Sequence, residues 1–150
     1  MNVTTLLAQH ILGPAHVGFV VPDIAAAIAN AVRLYGLDPA TVEYQPAPGV
    51  EAPTLFAFFE VGGLRFEYIE PVSNEFKAQL FAEPSGGGGI NHVAWMVDDI
   101  DLALAALERV GARPGYVTPG GVIDMGSQRM VYMDPASCGG LLIELIQDLA

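Results

Sequence analysis

HVGFVVPDIAAAIA, from His16 to Ala29, and HVAWMVDDIDLALA, from His92 to Ala105, are two versions of one segment, 76 residues apart. A second matched pair follows in the same order: GGLRFE at Gly62–Glu67 and GGLLIE at Gly139–Glu144, now offset by 77. One module therefore occurs twice, and a repeat this long in only two copies points to two similar halves rather than a solenoid. Inside each copy Val17, Phe19 and Val21 alternate with His16, Gly18 and Val20, as Val93, Trp95 and Val97 do with His92, Ala94 and Met96. That spacing of two is a strand with distinct faces. Asp23 and Asp99 then stand where a helix N-cap belongs. Apolar residues at helical spacing follow each, and Gly36 and Gly111 supply the stops.

Short β-like runs complete each copy, Leu55–Glu60 and Leu64–Ile69 in the first, Arg129–Met133 and Leu141–Ile146 in the second. The expected fold class is α+β: two tandem βαβββ modules forming a curved, partly closed mixed sheet around a central metal cavity, with the helices outside. The expected organisation is one domain over 1–150, with an N-terminal arm (1–14), a first module (15–72), a linker (73–90) and a second module (91–148). The linker holds a short helix at Asn74–Ala82 and a flexible Pro-Ser-Gly₄ connector. The four glycines lead into a strand and not a helix, which argues against a phosphate cradle.

Composition narrows the function classes. Seventeen acids against six cations leave a net charge of −11 over 150 residues, so nucleic acid and anionic membrane surfaces are expected to be repelled. No apolar run approaches the roughly 20 residues of a membrane span, and the N-terminus does not read as a secretion signal. The lone Cys138 has no intramolecular disulfide partner. The expected setting is the cytoplasm.

The chemistry falls on four residues. Each module carries a histidine on its first strand and a glutamate on its last, His16 with Glu67 and His92 with Glu144, at spacings of 51 and 52. If the modules pair about a twofold axis, these side chains converge as a two-His, two-carboxylate donor set suited to one divalent first-row metal ion with open positions. The small neighbours Gly18 and Ala94 leave room beside each histidine. Singly, each residue has a plainer explanation: a strand histidine satisfied in the core, or Glu67 paired with its same-face neighbour Arg65. Glu144, in LLIELI, is less easily dismissed, because an unpaired buried carboxylate is costly. Matched spacing in both copies favours the metal.

These segments, with FFEVGGLRFEYIEP and INHVAWMVDDID, resemble the vicinal oxygen chelate superfamily (glyoxalase/bleomycin resistance/dioxygenase) over about Ala15 to Gln147, its methylmalonyl-CoA epimerase branch above all. The resemblance implies metal ligation by His16, Glu67, His92 and Glu144, with cobalt, nickel, zinc, manganese or iron as the ion. It implies an isomerase that moves a proton on carbon beside a carbonyl through a metal-stabilised enolate, with Glu144 or Glu67 as the catalytic base. A homodimer is implied as well.

A glyoxalase-type lyase or a dioxygenase are the alternatives within the superfamily, and a small-molecule sequestering protein is the non-catalytic one. Arg129 is the expected substrate-binding residue, at the head of a strand behind the candidate lid loop Pro119–Gln128. The segment before the last strand reads Asp134-Pro135-Ala136-Ser137 where epimerases often carry His-Pro-Lys-Ser, and Phe56 stands where some carry a second carboxylate. With so few cations, a compact carbonyl substrate is expected to be favoured over a coenzyme A ester.

Overall fold

The computed structural model describes residues 6–82 and 89–149; the glycine-rich connector lies outside them, apart from Gly89. The chain forms two compact units, one of the residues up to Ala15 together with those from His92 onward, the other of His16–Asn91. Strand β1 (Ile11–Val20) is divided between them at Ala15 and His16. It starts at Ile11, so the last four residues of the expected arm already belong to the strand, which a 3-10 turn at Leu7–Gln9 precedes.

The unit His16–Asn91 contains helix α1 (Ile24–Tyr35), strands β2 (Glu43–Gln45), β3 (Thr54–Val61) and β4 (Leu64–Pro71), and helix α2 (Asn74–Ala82). Its strands lie in the order β1-β4-β3-β2, with β1 parallel to β4 and the others antiparallel. The other unit repeats the pattern with β5 (Ile90–Val97), helix α3 (Ile100–Arg109), β6 (Ile123–Asp124), β7 (Gln128–Tyr132) and β8 (Ile143–Asp148). The order there is β5-β8-β7-β6, again with one parallel pair, β5 with β8. Each unit is thus the βαβββ module. Parallel pairing of its first and last strands follows from the connection between them, which includes the helix and must cross over the sheet.

Alternation along the strands assigns the faces. Ile24, Ile28 and Ala31 of α1 cluster with Ala57 and Phe59 of β3, and the rings of Phe66 and Tyr68 pack on Phe59 at 5.2 and 5.0 Å and on Phe19 at 5.7 Å. Ile100, Ala103 and Leu107 of α3 likewise cluster with Val97, Val131 and Leu145. His16, Gly18 and Glu67 fall on the opposite face of one unit, and His92, Ala94 and Glu144 on the opposite face of the other.

Both helices begin as expected: Asp23 accepts from Ala26 N and Asp99 from Leu102 N, each at 3.0 Å. A second cap, not read from the sequence, repeats as well. Glu70 Oε1 accepts from Ile24 N at 2.8 Å and Gln147 Oε1 from Ile100 N at 3.0 Å. These residues stand three positions after Glu67 and Glu144, on the helix side, where a long polar side chain at the strand end reaches the first free amides. Gly36 closes α1 in the left-handed conformation, φ +68°, with its amide bonded to Val32 O. Gly111 also has positive φ, but Val110 is the C-cap of α3. Asp99→Ala is expected to cost about 1 kcal/mol, lowering the melting temperature by about 2–4 °C in a thermal scan.

Candidate active site

Strand register explains how each histidine meets its glutamate. In β1 and β4, Gly18 lies beside Glu67, and His16 is two residues earlier on the same face. Gly18 presents no side chain, so the Glu67 carboxylate can lean along the strand toward the imidazole. His16 Nε2 and Glu67 Oε1 are 3.5 Å apart, both side chains buried. In β5 and β8, Ala94 lies beside Glu144 in the same relation, and His92 Nε2 meets Glu144 Oε2 at 3.0 Å with the side chains 0% and 6% exposed. The small residues expected to make room for a ligand are therefore also the ones that let each carboxylate reach its histidine.

An aromatic residue faces each glutamate from the next antiparallel strand. Phe58 of β3 is opposite Glu67, its ring 6.2 Å from that of His16 and steeply inclined to it; Tyr132 of β7 is opposite Glu144, its ring 5.2 Å from His92 in an edge-to-face arrangement. Phe56 and Phe58 stack at 6.4 Å and extend the apolar wall beside His16. The Tyr132 hydroxyl lies 3.5 Å from His92 Nε2, at the outer limit of a hydrogen bond.

The donor chemistry fits a divalent ion. Neutral imidazoles and carboxylates are the ligands that zinc, cobalt, nickel, manganese and iron share. Each of these carboxylates is buried in surroundings that penalise a negative charge, and a cation at it would offset that penalty. The divisions between the two units fall immediately before His16 and immediately before His92, so each histidine stands where the chain passes from one unit to the other.

Other residues singled out from the sequence have structural partners. Arg129 lies on the α3 side of β7 and makes a two-pronged ion pair with Asp101, at 2.9 and 3.0 Å. The hydrogen bonds from Arg129 hold the Asp101 carboxyl below its ordinary range. The fold does not bring Arg129 to the face of β7 that carries Tyr132, because residues 129 and 132 alternate across the strand. Arg65 meets the carboxylate of Glu43 at 2.9 Å and lies over the Phe58 ring. Asp134 caps the turn Pro135–Ser137 and binds Arg113 at 2.7 Å.

Part of the lid candidate is strand: Ile123 and Asp124 pair with Met130 and Arg129. Cys138 is a free, half-buried thiol packed against the α3 core. His10 Nδ1 contacts Asp98 Oδ1 at 3.0 Å, and its carbonyl accepts from Asp98 N. Tyr132 was not legible as a site residue. Its alignment with Glu144 depends on the turn between β7 and β8, and no spacing rule supplies it.

Comparison with known proteins places the chain in a class. The family model of the Glyoxalase/Bleomycin resistance protein/Dioxygenase superfamily matches residues 15–132, and the chain belongs to that superfamily. It is similar to the mitochondrial methylmalonyl-CoA epimerase of Bos taurus, 26% identical over 132 residues that cover 88% of this chain and 72% of the relative. It is 28% identical over 134 residues to the ethylmalonyl-CoA/methylmalonyl-CoA epimerase of Cereibacter sphaeroides, covering 88% and 95% of the two. Among solved structures, methylmalonyl-CoA epimerase from Mycobacterium tuberculosis shares the fold with a TM-score of 0.71 at 23% identity, over 100% of this chain and 94% of that one. No helix among the described residues is long and apolar enough to cross a membrane.

Proposed function

We propose that this protein is a metal-dependent epimerase that moves a proton on the carbon between a carbonyl and a second activating group, with methylmalonyl-CoA as substrate. The observation that carries the reading is the duplicated buried pair, His16 with Glu67 and His92 with Glu144. The named activity of the relatives supports it. These four residues would hold one divalent ion. When bound, that ion supplies a Lewis acid for the negative charge that develops on the carbonyl oxygen as the neighbouring carbon loses its proton.

The chain's own residues supply the proton chemistry. Inversion at carbon requires one proton to leave one face and another to arrive at the opposite face, so one carboxylate begins ionised and the other protonated. Glu144 takes the proton at a carboxylate oxygen as the base, and Glu67, protonated, delivers one from the other side; in the reverse direction the roles exchange. Phe56 and Phe58 keep water from the Glu67 side. A homodimer in the cytoplasm belongs to the same proposal, supported by the resemblance and by the single Cys138.

One observation favours a second substrate class. Of the six cations, Arg65, Arg113 and Arg129 are already held by Glu43, Asp134 and Asp101. That leaves little positive charge for the phosphates of coenzyme A, and a compact keto acid or hemithioacetal would avoid the conflict. Side-by-side kinetics of cobalt-loaded protein, with exchange of the acidic C–H followed in D₂O, decide between them. A kcat/KM for methylmalonyl-CoA at or above about 10⁴ M⁻¹s⁻¹ is expected. Exchange confined to the compact substrates favours the second class, and no exchange on any substrate removes the enzyme reading.

A further inference from the structure

The two units differ in the residue that faces each glutamate from the next antiparallel strand: Phe58 ends in a C–H, whereas Tyr132 ends in a hydroxyl. The backbone and ring that carry this hydroxyl are held from several directions. Pairing of β7 with β6 ends at Met130, and beyond it an isolated antiparallel bridge joins Pro114 to Met133. Thr118 fills the gap. Its buried Oγ1 accepts from Tyr132 N at 2.8 Å and donates to Tyr132 O at 2.9 Å, while Gly115 N donates to the same carbonyl at 3.0 Å. One side-chain hydroxyl thus does for Tyr132 what a neighbouring strand does elsewhere.

The segment supplying these bonds has little freedom. A Cβ on Gly115 would lie 2.5 Å from Asp134 Cβ, so no other residue fits there without displacement. The next residue, Tyr116, has φ +58°, a conformation bulky side chains rarely adopt, and its ring meets that of Tyr132 at 5.4 Å. Because the amide and carbonyl of Tyr132 turn toward Thr118, Tyr132 and Glu144 form the non-hydrogen-bonded type of antiparallel pair, in which side chains approach most closely. The outcome is the 3.5 Å approach to His92 Nε2.

We propose that Tyr132 is a substrate-binding catalytic residue whose hydroxyl donates to a substrate oxygen, and that Thr118 and Tyr116 are positioning residues for it. This rests on the metal reading of His92 and Glu144. A phenol has one proton to donate, and an imidazole nitrogen engaged by an ion has no lone pair left to accept it. The hydroxyl beside it is then directed to an oxygen acceptor, and a carbonyl or carboxylate oxygen held at that ion is the ligand chemistry it suits. Strain and a buried hydroxyl clamp are the kind of support a preorganised site group requires.

The test uses cobalt-loaded full-length protein and oxalate, a small oxygen chelate of divalent ions, with affinity read by calorimetry and the metal environment by the visible cobalt spectrum. Tyr132→Phe is expected to keep one cobalt per chain and an unchanged melting curve while weakening oxalate about 10-fold, the scale of one hydrogen bond. Thr118→Val, which retains the phenol, is expected to weaken oxalate in the same direction with cobalt retained. Oxalate affinity within twofold of wild type in a cobalt-bearing Tyr132→Phe protein overturns the proposal, as does a cobalt-loaded wild type that ignores oxalate. A wild type that takes up no cobalt overturns the metal reading itself, and this proposal with it.

Discussion

Glu144→Gln is expected to lower kcat by about 10³-fold, within the range ascribed to a positioned general base, while the melting temperature stays within a few degrees of wild type. The amide has nearly the shape of the carboxylate, so Ala94 still leaves it room and His92 still has a polar neighbour. What it lacks is a basic oxygen that accepts a proton from carbon. A merely structural acid at this buried position predicts the reverse, a change in stability with turnover intact. Steady-state kinetics beside a melting curve separate the two, and a variant that keeps more than a tenth of wild-type activity assigns the base to Glu67.

Chelation of the ion is expected to lower the melting temperature by about 8–16 °C when free metal has been about a thousandfold above its dissociation constant. The binding free energy then amounts to about 4 kcal/mol of folding stability, and a chain of this size loses about 2–4 °C per kcal/mol. The physical source is the attraction between the cation and the buried carboxylates of Glu67 and Glu144, which is lost when the cation goes. Re-addition of cobalt should restore the curve. His92→Ala is expected to abolish stoichiometric uptake, because one lost imidazole leaves too few strong donors. Metal analysis after dialysis against cobalt, zinc, nickel and manganese checks both statements. A wild type that emerges empty, with a melting curve indifferent to chelator, removes the metal centre from the account.

The sequence by itself determined the duplication, the βαβββ order within each unit, the helix starts at Asp23 and Asp99, and the assignment of His16, Glu67, His92 and Glu144 to the side of their strands away from the helices. These are properties of local pattern: a period of two places side chains on a face, and a cap must precede a helix by a fixed number of residues. Only the tertiary structure decided the register that sets Gly18 beside Glu67 and Ala94 beside Glu144, the withdrawal of Arg129 into its pair with Asp101, the matching caps Glu70 and Gln147, and the arrival of Tyr132 beside His92 under the hold of Thr118. Each of these joins residues far apart in the chain. The conformation of the intervening loops sets the alignment, and one residue of slip in a strand would turn its side chains to the other face.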